Sequence, residues 1–327
     1  MRLGFTYDLR AEYLALGYGA EETAEFDKEE TIDAIASELE ALGHEVERIG
    51  HIKNLTRRLA ANERWELVFN ICEGMSGTGR ESQVPALLDA FNIPYVFSGP
   101  VALGLTLDKA LTKHVVQNQG IPTAPFVVVS SAAELANVTL PYPLFVKPVG
   151  EGTGKGISSK SRVKSPPELA TVALELLERF SQPVLVETYL PGREFTTGVL
   201  GHGGHAKAIG SMEVLYTGVA ETSDYSYENK ANYEDRVKYR ALDGDVAEEC
   251  ARVSLAAWRA LGCVDAGRVD LRMDANGQVC LIEVNPLAGL HPIHSDLPIL
   301  CGLHGMGYAE LIGEIVAAAM VRLGLKL

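Results

Sequence analysis

The stretch FVKPVGEGTGKGIS, residues 145–158, decides the predicted fold because it is close to a phosphate-binding P-loop without being one. A P-loop has the pattern G-x-x-x-x-G-K-[ST], with a hydroxyl directly after the lysine and a helix behind the loop. Here Gly156 follows Lys155, and Gly150 is one residue too close to it. The following ISSKSRV has β-branched and alternating residues, which predict a second strand. The glycines therefore predict a flexible hairpin lid between two strands, and the rest of the chain must supply any phosphate site.

The composition limits the possible classes of partner. The chain has 327 residues, of which 47% are hydrophobic and 22% charged, enough for two or three domains with cores. A net charge of -14 argues against nucleic acid or an anionic membrane, because both attract clustered lysine and arginine. The five cysteines form no C-x-x-C pair, so neither a disulfide framework nor a zinc ribbon is indicated. Without a membrane-spanning run or a signal-peptide pattern, we expect a cytoplasmic protein.

The order of apolar and helical segments predicts an α/β unit followed by α+β units. In the first third, short strand patterns such as LGFTY and ELVFNI alternate with helices, which favours a parallel sheet covered by helices. Later strands have an antiparallel pattern and are interrupted by a polar loop of about two dozen residues. We therefore predict an N-terminal unit over 1–99, a central unit over 100–183 and a C-terminal unit over 184–327.

The segment GRVDLRMDANGQVCLIEVNP, residues 267–286, predicts a β-hairpin. Its dipeptide Asn276-Gly277, between two alternating strands, is a strong short-range hairpin signal. If these two residues form the turn, Ala275 faces Gln278. In every further pair, the two residues then lie the same number of positions from the turn on their own strands.

That register places two acids opposite each other. Asp270 lies across from Glu283, and Arg268 lies across from Asn285; since side chains alternate, all four share one face. The other face is predicted to be apolar and consists of Val269, Leu271, Met273, Cys280, Ile282 and Val284. Opposed carboxylates repel each other, and oxygen ligands of this kind suit Mg²⁺. The alternative is a solvated face on which Arg268 offsets the acids, but the lysine-bearing glycine hairpin upstream favours the metal.

Further candidates lie at strand ends. Lys147 ends an apolar strand directly before the glycines, where contact with a phosphate is favoured over a snorkelled surface lysine. Glu187 and Glu194 flank the turn LPG and could hold the amine and ribose hydroxyls of a nucleotide, although exposed turn acids are commoner. Residues 77–82, which include Glu81, precede a helix whose N-terminus offers N–H groups to a carboxylate or phosphate.

Six motifs, in order, resemble the D-alanine-D-alanine ligases of the ATP-grasp superfamily. They are LDKALTK, GIPTAP, FVKPVGEGTGKGIS, VLVETYLPGREF, YSYENK and RALGCVDAGRVDLRMDANGQVCLIEVNPLAGLHPIHSDLP. The resemblance covers nearly the whole chain from Glu66 onward. It implies an ATP-grasp fold with an N-terminal Rossmann-like, pre-ATP-grasp domain, the cofactors ATP and two Mg²⁺ ions, and a homodimer.

The resemblance also implies roles for the matching residues. The residues implied to bind ATP are Lys109, Lys147, Thr153, Glu187, Glu194 and Lys230, the last being the lysine that reaches the transferred phosphate. The implied Mg²⁺ ligands are Asp270, Glu283 and Asn285. Arg268 and the backbone N–H of Gly289 match the pair that stabilises an oxyanion. Ser295 matches the serine that holds the carboxylate of the second substrate, and Glu81 is a further candidate for substrate binding.

Three departures from the family pattern concern the site of the first substrate. The N-terminal signature, Gly-Gly-x-Ser followed by a glutamate that binds the ammonium group, is absent. Glu25 could replace that acid, and the other candidates are Glu12, Glu29 and Glu30. Ala231 stands where the family has a tyrosine after the lid lysine. Gly154 and Lys155 stand where the family has other, neutral residues in the glycine loop, and Lys155 adds a charge near the pocket.

The activity implied is the ATP-dependent joining of two amino acids. The carboxylate of the first becomes an acyl phosphate, which the amine of the second attacks, and no nucleophile from the protein is needed. The role is either peptidoglycan precursor synthesis or the joining of another amino acid pair, because the sequence leaves both substrates open. The alternatives are a non-catalytic ATP-binding regulatory protein and a kinase or carboxylase of the same superfamily.

Overall fold

The computed structural model describes residues 1–216 and 237–325 of the chain. In these ranges the strands are β1 Arg2–Tyr7, β2 Glu45–Arg48, β3 Leu67–Ile71, β4 Tyr95–Val96, β5 Phe126–Val129, β6 Leu144–Pro148, β7 Arg162–Val163, β8 Val184–Thr188, β9 Glu194–Leu200, β10 Lys207–Tyr216, β11 Val237–Leu242, β12 Ala266–Met273 and β13 Val279–Asn285. The helices are α1 Arg10–Ala15, α2 Glu29–Ala41, α3 Ile52–Ala60, α4 Gln83–Ala90, α5 Pro100–Leu107, α6 Lys109–Asn118, α7 Pro166–Phe180, α8 Asp245–Ala260, α9 Asp296–Leu303 and α10 Tyr308–Leu323. Among the described helices, none combines the length and the apolar character that a membrane crossing needs.

The first sheet is parallel, as the alternation of strands and helices predicted. Its order is β2-β1-β3-β4, and every residue of β3 is buried, as expected of a strand covered on both faces. The segments after β1 and β3, residues 8–28 with the short helix α1 and residues 72–82, leave the carboxyl ends of neighbouring parallel strands. Such loops lie close together at the edge where open α/β sheets bind ligands.

The second sheet, in the order β5-β8-β6-β7, is antiparallel. The glycine-rich loop joins β6 to β7, so it connects strand to strand as predicted. The second strand is shorter than ISSKSRV suggested, because residues 158–161 form a turn in which the N–H of Ser161 donates to the carbonyl of Ser158 at 2.9 Å. Although the range 184–327 includes β8, this strand pairs with β5 and β6 and therefore lies in the central sheet. The division into three units otherwise stays a prediction.

The third sheet is antiparallel, in the order β11-β10-β9-β12-β13. Helix α8 covers one face, where Trp258 packs in one apolar cluster with Val269 and Leu271 of β12. The other face lies against α9, and Gly198 permits the close approach, since a Cβ at this position would lie 2.9 Å from Cδ2 of Leu300. The sheet is therefore covered on both sides, which fixes the orientation of β12 and β13.

The hairpin of β12 and β13 keeps the predicted acid pair but not the predicted turn. Asp270 pairs with Glu283, and Arg268 pairs with Asn285, as predicted. The turn is a three-residue loop over 275–277, because the N–H of Asp274 donates to the carbonyl of Gln278 at 2.9 Å. The prediction that Ala275 faces Gln278 is therefore wrong. Gly277 has φ of +83°, as a glycine at the end of such a loop requires.

A bulge in β13 restores the register beyond this turn. Leu271 pairs with Leu281, whereas Asp270 pairs with Glu283, so Ile282 is the extra residue. Between Ile282 and the turn, the bulge moves the side chains of β13 to the opposite face of the sheet from the one predicted. Val279 and Leu281 therefore join the core beneath α8. Cys280 packs instead with Ala124 and Leu190, and Ile282 lines a cavity. The prediction that Cys280 and Ile282 share the apolar face with Val269 is therefore wrong.

A buried aspartate joins the first sheet to the C-terminal helices. Asp265, with no solvent exposure, accepts the N–H of Phe97 at 2.7 Å. Its two carboxylate oxygens accept from Nε and Nη2 of Arg322 on α10, each at 2.8 Å. One apolar core surrounds this junction and includes Phe5, Phe69, Leu300 and Ile312. The first sheet, α9 and α10 therefore pack as one body.

Candidate active site

Two adjoining cavities lie where the three sheets meet. The inter-sheet cavity separates the second and third sheets, and part of its lining is Phe145, Lys147, Glu187, Tyr189, Glu194 and Arg272. The acidic cavity lies between the loops after β1 and β3 and the end of β13, and part of its lining is Glu25, Glu73, Glu81, Asn285, Leu287 and Gly289. The two cavities share a wall made by Lys109, Glu151, Gly152, Thr153, Arg268 and Glu283. A chemical group that is transferred from a ligand in one cavity to a ligand in the other must therefore pass this shared wall.

The structure brings together most residues that the sequence singles out. Those on the inter-sheet cavity or the shared wall are Lys109, Lys147, Thr153, Glu187, Glu194, Arg268, Asp270 and Glu283. Those on the acidic cavity alone are Glu25, Glu81, Asn285 and Gly289. Ser295 is not part of either lining, but its Oγ accepts the N–H of His291 at 2.9 Å and lies beside Gly289. Lys230 and Ala231 lie outside the described residues.

The acid pair of the hairpin is held by short contacts at the shared wall. Asp270 accepts from Oγ1 of Thr196 at 2.9 Å and from Nδ2 of Asn285 at 3.1 Å. Nη1 of Arg268 lies 3.1 Å from Asp270 Oδ2 and 2.7 Å from Oδ2 of Asp296, a partner that the sequence did not suggest. Hydrogen bonds on both sides thus fix the direction of the Asp270 carboxylate and the Arg268 guanidinium.

These side chains also fit a hard cation. No three His, Cys, Asp or Glu side chains within residues 1–216 and 237–325 form a cluster that could bind a metal, so a site here needs an amide oxygen as well. Asn285 supplies one if its amide turns over, because its Nδ2 now points at Asp270. Glu283, 3.4 Å from Nζ of Lys109, is the second carboxylate. Two carboxylates and one amide suit Mg²⁺, which completes its shell with water and phosphate oxygens.

Glu187 is held between two buried lysines. Its Oε2 lies 2.8 Å from Nζ of Lys113, and its Oε1 lies 2.7 Å from Nζ of Lys147. Burial alone would raise the pKa of Glu187, but the two ammonium groups outweigh it and lower this pKa to about 2. Lys113 also donates to Oγ1 of Thr123 at 2.6 Å, and burial lowers its pKa. The carboxylate therefore fixes Lys147 against the cavity wall.

Glu194 lies at the other side of the inter-sheet cavity. Its Oε2 accepts from the hydroxyl of Tyr216 at 3.0 Å and lies 3.3 Å from Nη1 of Arg272. Nη2 of Arg272 donates to the hydroxyl of Tyr189 at 3.1 Å, and the guanidinium of Arg162 lies 4.1 Å from the centre of the Tyr189 ring. Aromatic and cationic side chains thus border this side of the cavity, and sequence analysis did not single out these residues.

A set of charged contacts, the hairpin latch, connects the loop after β1 to the glycine-rich hairpin. Glu25 accepts from the N–H of Gly152 at 2.9 Å, from Nζ of Lys155 at 3.1 Å and from Nη2 of Arg80 at 3.1 and 3.2 Å. Nη1 of Arg80 donates to the carbonyl of Gly150 at 2.8 Å. Although burial opposes ionisation, Arg80 and Lys155 keep the pKa of Glu25 below its usual range. The extra lysine of the glycine loop is therefore a partner of Glu25.

Two other acids of the acidic cavity have no such partner. Glu73 and Glu81 make no hydrogen bond or ion pair with any residue in the described ranges, although both line the cavity. Burial, together with the carboxylates of Glu81 and Glu25, raises the pKa of Glu73 well above its usual range. Burial is also the main cause that raises the pKa of Glu81 to about 7. Glu73 lies two residues beyond the end of β3, in the segment NICEG.

Known proteins are similar to this chain in sequence and in fold. The family model described as D-ala D-ala ligase C-terminus matches residues 115–317. A D-alanine-D-alanine ligase from Bordetella avium is 34% identical over 277 residues, which is 83% of each chain. The enzyme of the same name from Bordetella pertussis is 36% identical over 259 residues, or 78% of each chain. A solved structure of D-alanine-D-alanine ligase from Bacillus anthracis complexed with ATP matches 99% of this chain and 98% of its own with a TM-score of 0.74. At 20% identity, this last likeness concerns the fold.

Proposed function

This chain belongs to the D-alanine-D-alanine ligase family and is an ATP-dependent ligase that forms a carbon–nitrogen bond; on that premise we propose that the inter-sheet cavity binds ATP and the acidic cavity binds the first amino acid. The observation that carries this proposal is the shared wall. It places Lys109, Arg268 and Glu283 between the two cavities, where a phosphoryl group would leave ATP and reach a carboxylate.

Within the inter-sheet cavity, each side chain has a distinct proposed part. Lys109 and Lys147 bind phosphate oxygens, which are compact anions suited to lysine ammonium groups. Glu187 orients Lys147 and lies near the adenine, whereas Glu194 holds the ribose hydroxyls. Thr153 lies in the glycine loop that closes over the phosphates. Lys230, from outside the described residues, is proposed to reach the transferred phosphate.

At the shared wall the proposed task is charge stabilisation. Asp270, Glu283 and Asn285 would hold Mg²⁺, which supplies Lewis-acid stabilisation of charge on the phosphate oxygens. Arg268 and the N–H of Gly289 stabilise the oxyanion that forms when the amine attacks the acyl phosphate. Ser295 binds the carboxylate of the second amino acid. The closed hairpin keeps water from the acyl phosphate, which would otherwise hydrolyse.

The wider assignments are also proposals that follow from the family. We propose that the enzyme is a cytoplasmic homodimer and that the reaction contributes to peptidoglycan precursor synthesis or joins another amino acid pair. The alternative of a non-catalytic ATP-binding protein has no support from the two Bordetella relatives, both of which are named as ligases. A protein that only binds ATP would also have no need of an arginine between the two cavities, where Arg268 lies.

Phosphate release from ATP and Mg²⁺ tests the proposal directly. The enzyme is incubated with single and paired D- and L-amino acids, and the products are identified by mass spectrometry. We expect stoichiometric ADP, phosphate and a dipeptide for at least one pair. Binding of ATP without phosphate release or dipeptide for any pair would support the non-catalytic alternative, and D-alanyl-D-alanine from D-alanine alone would support the cell-wall role.

The hairpin latch predicts that Glu25 and Lys155 act as a pair. In a double-mutant cycle with Glu25→Gln and Lys155→Met, we expect a coupling energy of about 0.5–3 kcal/mol in the apparent binding of ATP, because each change breaks the same contact. Both single variants should raise the KM for ATP. If Glu25 instead binds the substrate ammonium, Glu25→Gln alone will raise the KM for the first amino acid, and the two changes will be additive.

A further inference from the structure

We propose, on the basis of the proposed function, that Lys113 is a positioning residue for ATP, because it balances the charge of Glu187 and so leaves the charge of Lys147 available for a phosphate group. Lys113 is fully buried and is not part of the lining of either cavity. It contacts Oε2 of Glu187, whereas Lys147 contacts Oε1 of the same carboxylate. Any effect of Lys113 on ATP therefore passes through Glu187.

The partners of Lys113 show that its side chain is an ammonium group. Its Nζ lies 2.6 Å from Oγ1 of Thr123 and 2.8 Å from Oε2 of Glu187, and the carbonyl of Ala124 lies 3.5 Å away. The hydroxyl of Thr123 donates its own proton to the carbonyl of Leu281 at 2.8 Å, so its oxygen accepts from Lys113. All three partners of Lys113 are thus acceptors. An ammonium group, with three donors and no acceptor, matches them, whereas a neutral amine has one N–H too few.

The balance of charge around Glu187 determines how strongly Lys147 attracts a phosphate. Within residues 1–216 and 237–325, the ion pairs of Glu187 are those with Lys113 and Lys147. If Lys147 were the sole partner, the two would form a neutral pair, and a phosphate would meet little net positive charge. With Lys113 present, two ammonium groups surround one carboxylate. The group then keeps a net positive charge, and Lys147 is its ammonium that lines the inter-sheet cavity.

The same contact could instead serve the base of the nucleotide. Glu187 lines the inter-sheet cavity as well, and Lys113 would then hold its carboxylate in place beside the adenine. That arrangement predicts that the loss of Lys113 weakens the binding of adenosine as much as the binding of ATP. Charge balance predicts a loss for ATP alone, because adenosine has no phosphate.

Calorimetry with ATP and Mg²⁺, and separately with adenosine, distinguishes these arrangements. The ratio of the two dissociation constants gives the preference for ATP, and an effect on the base cancels in that ratio. We expect Lys113→Met to reduce the preference about 10- to 100-fold, the usual range for a charged hydrogen bond. An unchanged ratio in this variant would overturn the inference. Lys147→Met should reduce the preference as well, and an unchanged ratio there would overturn the phosphate role of Lys147 together with the inference.

A second substitution tests the charge argument directly. When Lys113→Met is combined with Glu187→Gln, the carboxylate that neutralises Lys147 is gone, and we expect the preference for ATP to recover toward the wild-type value. A purely structural role of Lys113 predicts no recovery. The double variant removes one charge of each sign, so it decides alone if Lys113→Met does not fold. A preference for ATP that stays low in the double variant would overturn the inference.

An exposed ion pair supplies the matched control. Nζ of Lys207 lies 3.4 Å from Oε2 of Glu314, and both side chains are exposed. Lys207→Met, alone and combined with Glu314→Gln, should leave the preference for ATP unchanged. If the wild-type enzyme binds no ATP and forms no dipeptide, the proposed function itself is contradicted, and the inference falls with it. If ATP binds and dipeptide forms while the Lys113 variants keep the wild-type ratio, the inference alone is wrong.

Discussion

Replacing Glu187 with alanine is expected to lower the free energy of unfolding by about 3–5 kcal/mol, the range observed when one partner is removed from a buried ion pair. The variant leaves Lys113 and Lys147 buried together without a counter-charge, since these two are the cations in contact with Glu187. Urea unfolding measures the change. Glu175→Ala, at an exposed position on α7, removes an acid of the same kind and should change stability by less than about 0.5 kcal/mol.

The dependence of stability on pH gives a second measure of the same contact. The pKa of Glu187 is about 2 in the folded protein, below its ordinary value of 4.5. Its contribution is therefore complete above pH 4.5 and is lost as the pH falls from 4.5 toward 2. This difference corresponds to about 3 kcal/mol, in agreement with the estimate from pair removal. Wild-type and Glu187→Ala curves that run parallel between these pH values would contradict the assignment.

Replacing Arg268 with methionine should lower kcat by about 10²–10³-fold, the usual cost of removing one donor to an oxyanion. Asp270 and Asp296 now hold Nη1 of Arg268 in place, so the guanidinium needs little rearrangement when charge develops beside it. The affinity for ATP should change little, because the proposed contact forms during attack by the amine. The measurement is steady-state phosphate release combined with ATP binding by calorimetry.

Arg272→Met is the matched control for this prediction. Arg272 lies on the neighbouring part of β12 but contacts Glu194 and Tyr189 at the far side of the inter-sheet cavity. We expect it to raise the KM for ATP with a smaller effect on kcat. The same pattern in both variants, with kcat preserved, would show that Arg268 serves nucleotide binding, and the oxyanion role would then be wrong.

The hairpin of β12 and β13 shows what the sequence can and cannot specify. Alternation and the Asn-Gly signal correctly predicted a hairpin with Asp270 opposite Glu283. The predicted turn had two residues, whereas the observed loop has three. The extra residue Ile282 in β13 compensates for this difference and brings Glu283 opposite Asp270. A bulge depends on how a strand packs against its neighbours, so pairwise counting from the turn does not detect it. The predicted pairing of Asp270 with Glu283 is confirmed, whereas the predicted faces of Cys280 and Ile282 were wrong.

The charged partners at the site were harder to predict. Lys113 follows Lys109 by one helical turn in LDKALTK, and two lysines on the same side of a partly apolar helix could have indicated a buried acid nearby. The partner, Glu187, comes from a strand far along the chain, which only the fold reveals. The electrostatic surroundings of Glu73 and Arg80 likewise depend on Glu25, which comes from a different loop. Local patterns locate such residues, but tertiary packing selects their partners.

The junction at Asp265 determines which part of the molecule can swing. Because the first sheet shares a core with α9 and α10 and is fixed by the ion pair of Asp265 and Arg322, these parts should move together. We expect the central sheet to move relative to them, because the contacts of its glycine-rich loop with Glu25 and Arg80 are polar and charged. Opening separates ions and exposes them to water, where salt stabilises them. We therefore expect ionic strength to speed the release of products.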